Sequence, residues 1–415
     1  MAIILSNVSN ALQKVIMPFI QDNFNKQTIL LDQVKRNKGV TFMNDYFYAP
    51  IRSSRHSGIA NLANDGNTLV SGKSSIGQAY VGVKILSAAF DISKLTMDAT
   101  KTAKGAVENQ LTFQASTLAS DFAKNVNRQY MDDGVGVVSE VSSTSSATTV
   151  LLRQPTSTCG DGRSTEHFGT VNGDISPTEY LYANQIIGIG TASVGTASIA
   201  AVTNGTTITL NSTCPAGGSA LGPIYYVDGS GEGAGTAEIG GIRAALNGDV
   251  AGTYANVVRS THGWLAQVGT TSEALTMSAM EKQYLAAKKY AQVGDRYAIF
   301  MNLTLYKKYG DILTSMRRSV NATDLLGGWT GLEFAAGAGK VGVFLDYNTP
   351  DGEVEIINLD SWTIAQVSEM GWLEDVNGSL YRRPDKITYQ ATMAWFTNLI
   401  CLAPAANGRL LQKTG

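Results

Sequence analysis

A chain of 415 residues with 44% hydrophobic and 16% charged residues is long enough to bury a sizeable core, and its charge falls below the roughly 25% usual in globular domains. Its 32 Lys+Arg face 34 Asp+Glu, a formal net charge of -2, which excludes a chain built around a strong basic excess for reading nucleic acid. No apolar run approaches the about 20 residues that carry a helix across a bilayer, so no membrane partner is expected.

The 43 glycines, set among abundant Ala, Ser and Thr, suit a surface covered by neighbouring subunits. Cys159, Cys214 and Cys401 form neither a disulfide framework nor a zinc pattern; Cys159 and Cys214 share one subdomain, but the odd total argues for free thiols. Met1–Asn10 has an apolar run without a basic flank or cleavage site, so no secretion signal is expected.

Residues 1–38 read as an arm. Leu12, Val15, Ile16, Phe19 and Ile20 fall at helical spacings broken by Pro18, and Leu30, Leu31 and Val34 follow. Helices this short bury such a stripe only against something else. Lys35-Arg36 with Lys38, Arg317-Arg318 and Arg382-Arg383 are basic clusters, read as solvated loops or subunit contacts.

Residues 39–92 read as an extended hairpin. Val40–Phe42 and Tyr46–Tyr48 are rich in strand formers, a polar excursion turns at Asp65-Gly66, and Ala79–Ile85 returns as a strand. Its distal part is too polar to be stable without a partner surface. Ser93 is the expected N-cap of a short helical piece, Lys94–Lys101. A long helix follows from about Ala103 to Met131. Val107, Leu111, Ala115, Leu118, Phe122 and Val126 mark one continuous face of it, and Gly134 is placed to end it.

Residues 139–238 are rich in Ser, Thr and Gly, with strand candidates at Ala147–Leu152 and Thr206–Leu210, and read as an inserted all-β subdomain. Ser278–Glu281 reads as a capping box opening a helix to about Gln292. A strand (Arg296–Met301), a helix (Leu303–Thr314) and strands at Val341–Leu345, Val354–Ile357, Trp362–Gln366 and Ile387–Cys401 complete an α+β chain.

Chemical motifs are weak throughout. Gly188–Gly195 has the glycine spacing of a loose phosphate loop, but no helix-forming text follows it. His56, His167 and His262 stand apart in the sequence and share no ligand spacing. Asp132-Asp133-Gly134 lacks the further oxygens of a calcium loop and reads as a helix end. Glu374-Asp375, conceivable as an acid/base pair, reads as a solvated loop. No catalytic residue, metal or cofactor is expected.

The order of these pieces resembles the major capsid proteins of tailed bacteriophages, whose Hong Kong ninety-seven-type fold is shared with encapsulins. Gly72-Lys73 through Lys84 to Ile92, then Asn125–Gly136, resemble the family's E-loop and the end of its spine helix. Ala237–Arg243 resembles the return after an insertion, and Gly327–Phe334 through Phe344–Asp346 the end of its A-domain. The resemblance implies an N-terminal arm (1–38), an E-loop (39–92), the spine helix and start of the P-domain (93–138), an inserted β subdomain (139–238), the P-domain return (239–275), an A-domain (276–350), and a P-domain sheet with C-terminal segment (351–415).

It also implies a shell protein that forms hexamers and pentamers with a scaffolding protein and a portal protein. Such a shell encloses double-stranded DNA without sequence specificity and is assembled in the host bacterial cytoplasm; decoration proteins stay open as further partners. Expected inter-subunit contacts fall at Arg52, Arg55, Lys73, Lys84, Lys101, Arg128, Arg317 and Arg318. Two other readings compete: an encapsulin-type compartment shell, and an extracellular β-rich adhesin suggested by the Ser/Thr/Gly-rich insertion.

Overall fold

In the computed structural model the long helix spans Lys104–Met131, about 40 Å at 1.5 Å per residue. The structure describes residues 29–59, 61, 71–94, 104–134, 136–144, 148–153, 176–190, 195–215, 222–226, 238–291, 294–315, 322–325, 329–336, 339–350, 352–374, 380–383 and 386–415. Residues 1–28 and most of the arm's apolar stripe lie outside them, as do the excursion around Asp65 and the piece expected at Lys94–Lys101 beyond its first residue.

One face of the helix is buried through Ala115, Ala119, Phe122, Ala123, Val126 and Tyr130. Alanines four residues apart share a face and let a sheet approach closely. They join a core with Leu86, Phe90, Trp372, Met393 and Trp395. That sheet has six strands, centred on the 14-residue strand Thr388–Cys401. Lys84–Ser93 runs antiparallel along one side, from Thr397 opposite Lys84 to Thr388 opposite Ser93. Trp362–Gln366, Gly371–Trp372 and Leu380–Arg382 pair along the other.

This pairing changes the expected limits of the hairpin. The strand expected at Ala79–Ile85 is two strands. Ile76–Gly82 pairs with Tyr46–Arg52, which also carries Thr41–Met43 at its outer edge. At Val83, whose N–H donates to the Asp45 carbonyl (3.0 Å), the chain leaves that small sheet and joins the long strand. The hairpin therefore ends near 83, and 84–92 belong to the six-stranded sheet. Ser93 ends the strand and Lys94 directly after it is helical, while the remainder of the expected helical piece lies outside the described residues.

A seven-stranded sheet forms the second unit. Its centre, Tyr297–Met301, is buried at every position, parallel to Gly339–Leu345 and antiparallel to Val354–Asn358. Helices Met277–Lys288 and Leu303–Ser315 add Met280, Tyr284, Leu305 and Tyr309 to its core. The first helix is capped by Thr276, whose side chain accepts from the Ala279 N–H. The capping box expected at Ser278 is thus displaced by two residues, and the helix stops at Lys288.

Between the long helix and residue 238 lies a closed barrel of six strands: Val137–Thr144, Thr149–Arg153, Ile186–Ile189, Gly195–Asn204, Thr207–Leu210 and Pro223–Tyr226. Val141, Val150, Ile187, Ile199, Ile208 and Ile224 fill it, alternating inward along each strand. Because this core is separate from the other two, Ile224→Ala should cost about 2–5 kcal/mol within the barrel alone. Hydrogen exchange should then rise in the barrel strands while Thr388–Cys401 stays protected; equal loss in both would show one shared core.

Candidate assembly interface

The last two turns of the long helix are apolar on one side and polar on the other, yet both sides are buried. Asn127, Arg128, Gln129 and Asp132 each expose 8% or less. Burying such groups is costly unless every one is partnered, and each partner here comes from a different part of the chain. Asn127 Nδ2 donates to both carboxylate oxygens of Asp346 (3.2 and 3.1 Å), just beyond the strand Gly339–Leu345. Gln129 Oε1 accepts from the Ile239 N–H (3.2 Å).

Arg128 ties in the barrel. Its guanidinium lies over the rings of Tyr180 and Tyr226, 5.6 and 5.4 Å from their centroids. Its Nη2 donates to Glu238 Oε1 (2.5 Å) and its Nη1 to Asp132 Oδ2 (3.3 Å). Burial pulls the guanidinium pKa down, but Glu238, Tyr226 and Asp132 outweigh it and the net direction is up. Tyr180 in turn donates its hydroxyl to Asn348 Oδ1, so the barrel also touches the turn between the strands Gly339–Leu345 and Val354–Asn358 of the seven-stranded sheet.

The returning chain is shaped by the same helix end. Gly134 has φ +83°, and a Cβ there would stand 2.9 Å from the Gly240 Cα. A Cβ at Gly241 would meet the carbonyl oxygens of Gln129, Asp132 and Tyr130 at 2.3 to 2.5 Å. The backbones lie too close for any side chain. The sequence Glu238-Ile239-Gly240-Gly241 is therefore a fitted pass across the helix terminus.

Ion pairing continues from there into the second sheet. Arg243, 1% exposed, lies 3.8 Å from Asp132 and 3.8 Å from Glu353. Arg409 donates through Nε and Nη2 to Glu353 Oε2 (3.0 and 2.5 Å) and stands 2.9 Å from Glu355 Oε1. Burial raises the Glu355 carboxyl to about 8, with Arg409 pulling it down and Glu353 pushing it up.

The hairpin offers a different kind of surface. Phe47 and Ala49 face inward with Ala365 and Ile400. The opposite face exposes Met43, Tyr46 and Ile76, with Tyr46, Tyr48 and Tyr80 stacked at 5.3 to 6.3 Å. Beyond the paired strands its two legs cross at Gly58 and Gly72, where a Cβ on Gly72 would lie 1.9 Å from the Gly58 nitrogen. From Tyr46 to Val83 the sequence holds Arg52, Arg55 and Lys73 against one acid, Asp65. All three cations are exposed.

A cleft of about 1160 Å³ opens between the barrel, the long helix and the edge strand, lined by residues including Ala89, Leu118, Phe122, Tyr182 and Ile186, with Asp121 and Glu179 among its polar groups. Tyr182 and Ile186 are exposed apolar side chains.

The residues expected at contacts divide accordingly. Arg52, Arg55 and Lys73 share the hairpin. Lys84 is half-buried in the six-stranded sheet, its ammonium pKa lowered by burial against the pull of Glu238. Arg128 is 7% exposed and its partners lie in the same chain, so it is an internal strut and the expected contact role is corrected. Lys101, Arg317 and Arg318 lie outside the described residues. Arg243, Arg409, Glu353 and Glu355 were not anticipated: Glu353-Val354-Glu355 has the alternation of a strand with one wet face, and nothing local signals that this face is covered.

The weak chemical motifs dissolve. Gly188 and Ile189 end one barrel strand and Gly195 begins the next, without the helix a phosphate loop needs. His56 accepts a hydrogen bond from the Gly58 N–H and His262 is exposed; His167, Cys159 and Asp375 lie outside the described residues. Cys214 and Cys401 are free thiols. Among the described residues no group of three metal-ligating side chains converges.

Removing Arg128 strands two buried carboxylates. Arg128→Met should lower unfolding free energy by about 3–5 kcal/mol, read by chemical denaturation. Gly241→Ala should yield little soluble protein, and wild-type melting behaviour in that variant would contradict the close pass.

No family model matches the sequence, and no curated protein matches it. Among solved structures the chain is similar to the cyanophage A-1(L) capsid asymmetric unit, with TM-score 0.53 and 12% identity over 94% of each chain. It also aligns with the capsid of the native GTA particle (TM-score 0.45, 10% identity, 94% of this chain and 91% of that one). A third is the virus-like particle from Pyrococcus furiosus (TM-score 0.39, 10% identity, 94% and 95%). The first likeness carries the conclusion on fold: this chain has the α+β fold of a tailed-phage major capsid protein, here with an extended hairpin, a long helix, two main sheets and an inserted closed barrel.

Proposed function

We propose that the protein is the major coat subunit of a tailed-phage head, building hexamers and pentamers into an icosahedral shell around double-stranded DNA. The observation that carries this reading is the hairpin. It combines an exposed aromatic face with three exposed cations, against one acid in the same stretch, on legs that cross beyond the protein's own cores. A two-stranded projection of this kind is marginal alone and gains stability when laid across another subunit.

In this reading Arg52, Arg55 and Lys73 meet acidic groups of a neighbour, and Asp121 and Glu179 beside the helix cleft are of the right sign. Lys101, Arg317 and Arg318 belong to further contacts. The arm is 1–38, the E-loop narrows to 39–83, and the barrel stands as the insertion within 139–238. The role is structural, with no catalytic step assigned. Scaffolding and portal proteins would direct closure in the host cytoplasm, and packaged DNA would be held without sequence readout.

Electron microscopy of the purified chain, alone and with a co-expressed scaffolding protein, tests the reading. Closed shells or ring-shaped capsomers support it; shells that fill with protein cargo and need no second component point to an encapsulin-type compartment; a lasting monomer under both conditions overturns it. Deleting residues 55–75 should leave soluble, folded subunits that close no shells. The triple charge reversal Arg52→Glu/Arg55→Glu/Lys73→Glu should do the same with a melting temperature within a few degrees of wild type, since exposed charges add little to the stability of the subunit itself.

A further inference from the structure

The ion chain at the end of the long helix has an odd composition. Glu238, Asp132, Glu353 and Glu355 supply four carboxylates, and Arg128, Arg243 and Arg409 supply three guanidiniums. All seven residues are buried. Their order in space is Glu238, Arg128, Asp132, Arg243, Glu353, Arg409, Glu355, running from the barrel's exit through the helix terminus into the strands Val354–Asn358 and Gly408–Leu410. A buried array this dry tolerates no net charge cheaply. The half-buried Lys84 ammonium acts on Glu238 at the barrel end, whereas at the sheet end Glu353 and Glu355 share the one Arg409 guanidinium, so a proton on one of these two carboxylates relieves the excess there.

Position selects which one. Glu355 is the terminal member, and among the described residues Arg409 is the cation within ion-pair distance of it. Glu353, two residues away on the same strand face, sits between Arg409 and Arg243. The groups acting on Glu355 are Glu353 from its own strand, Arg409 from the neighbouring strand and Arg243 from the helix Ile242–Ala245; across the sheet on its other side stands Phe300, which has no charge.

We propose that this chain of seven side chains is a proton-linked latch joining the long helix to the seven-stranded sheet, closed while Glu355 is protonated and loosened when that proton leaves. With the proton in place Glu353 alone claims Arg409, and the Arg243 bridge between Asp132 and Glu353 is undisturbed. Without it, Glu353 and Glu355 face each other as anions and compete for Arg409. The longest links within the ion chain, the two 3.8 Å contacts of Arg243, join its helix part to its sheet part, alongside the Asn127–Asp346 hydrogen bonds. The latch acts within one subunit and does not rest on the shell reading.

The sign of the pH effect follows. A carboxyl raised from 4.5 to about 8 keeps its proton in the folded state over a range where the unfolded chain has lost it. Stability from this group is therefore full below about 4.5, declines as pH rises to about 8, and is level above that. Glu355→Gln, which fixes the neutral form, removes the slope.

The experiment compares thermal unfolding of the full-length wild type and Glu355→Gln from pH 5 to pH 9.5. The expected result is a difference between the two melting temperatures that shifts steadily against the wild type up to about pH 8 and then flattens. Hydrogen exchange at 126–132, corrected for intrinsic rate, should rise in the wild type above pH 8 and not in the variant. Parallel melting curves, or helix-end exchange that is the same in both proteins, would overturn the latch. Should the variant not fold, carboxyl-labelled glutamate in the wild type decides: an infrared band of a protonated carboxylic acid at pH 7 that titrates away near pH 8 supports the proposal, and its absence at pH 7 ends it.

Discussion

Everything in this subunit is fastened to two helical turns. The stretch from Asn127 to Asp132 has one side against the aromatic core of the six-stranded sheet, and its polar side is completed by the barrel, the returning chain and the seven-stranded sheet. Buried polar groups are unforgiving of small displacements, because each lost partner leaves a desolvated charge or amide behind. Three separately packed cores are thereby held in one arrangement by directional bonds, whereas apolar contact alone would allow them to slide.

Glycine makes that arrangement possible. At Gly134 the chain leaves the helix with positive φ, and at Gly240 and Gly241 it comes back across the same carbonyls it has just left. The carbonyls of Gln129, Tyr130 and Asp132 thus lie directly against the returning backbone at Gly241. A second pair, Gly58 and Gly72, does comparable work in the hairpin, letting two legs cross where side chains would hold them apart. These legs carry hydroxyls and cations in place of apolar groups, and Ser53, Ser54 and Ser75 bond to one another at the crossing.

Long regular elements were legible in the sequence because their periods are carried by many residues at once. The 28-residue helix, the strand Thr388–Cys401 and the β-rich character of the insertion all follow from spacing alone. Boundaries decided by pairing were not. Nothing in Ala79–Ile85 marks Val83 as the point where the chain changes sheets, since both halves are equally good strand text and the difference lies in a partner more than 300 residues away. The strands Ala322–Leu325 and Trp329–Ala336 were missed among glycines, and the small hairpin Thr253–Val258 turns on Ala255 and Asn256 at positive φ, where only Asn gives a local hint. At the candidate site, Arg52, Arg55 and Lys73 were named from the sequence one by one as contact candidates, and the structure places all three exposed on the hairpin. The buried ion chain was not readable, because a glutamate on a wet strand face and one under another layer are spelled alike.

The barrel enters and leaves the fold at one place. Its first and last strands pair, with Val137 opposite Tyr225, and Glu238 at the exit lies within van der Waals reach of Gly136 at the entrance. To the rest of the chain, about a hundred residues are topologically equivalent to a tight turn. The entropy of closing that excursion grows only slowly with its length, so the frame is indifferent to how large the insertion is or what it contains. A module attached in this way is free to diverge, shrink or be exchanged while the surrounding register stays fixed. Variation in the insertion is then a matter of swapping what hangs between two neighbouring points of an unchanging scaffold.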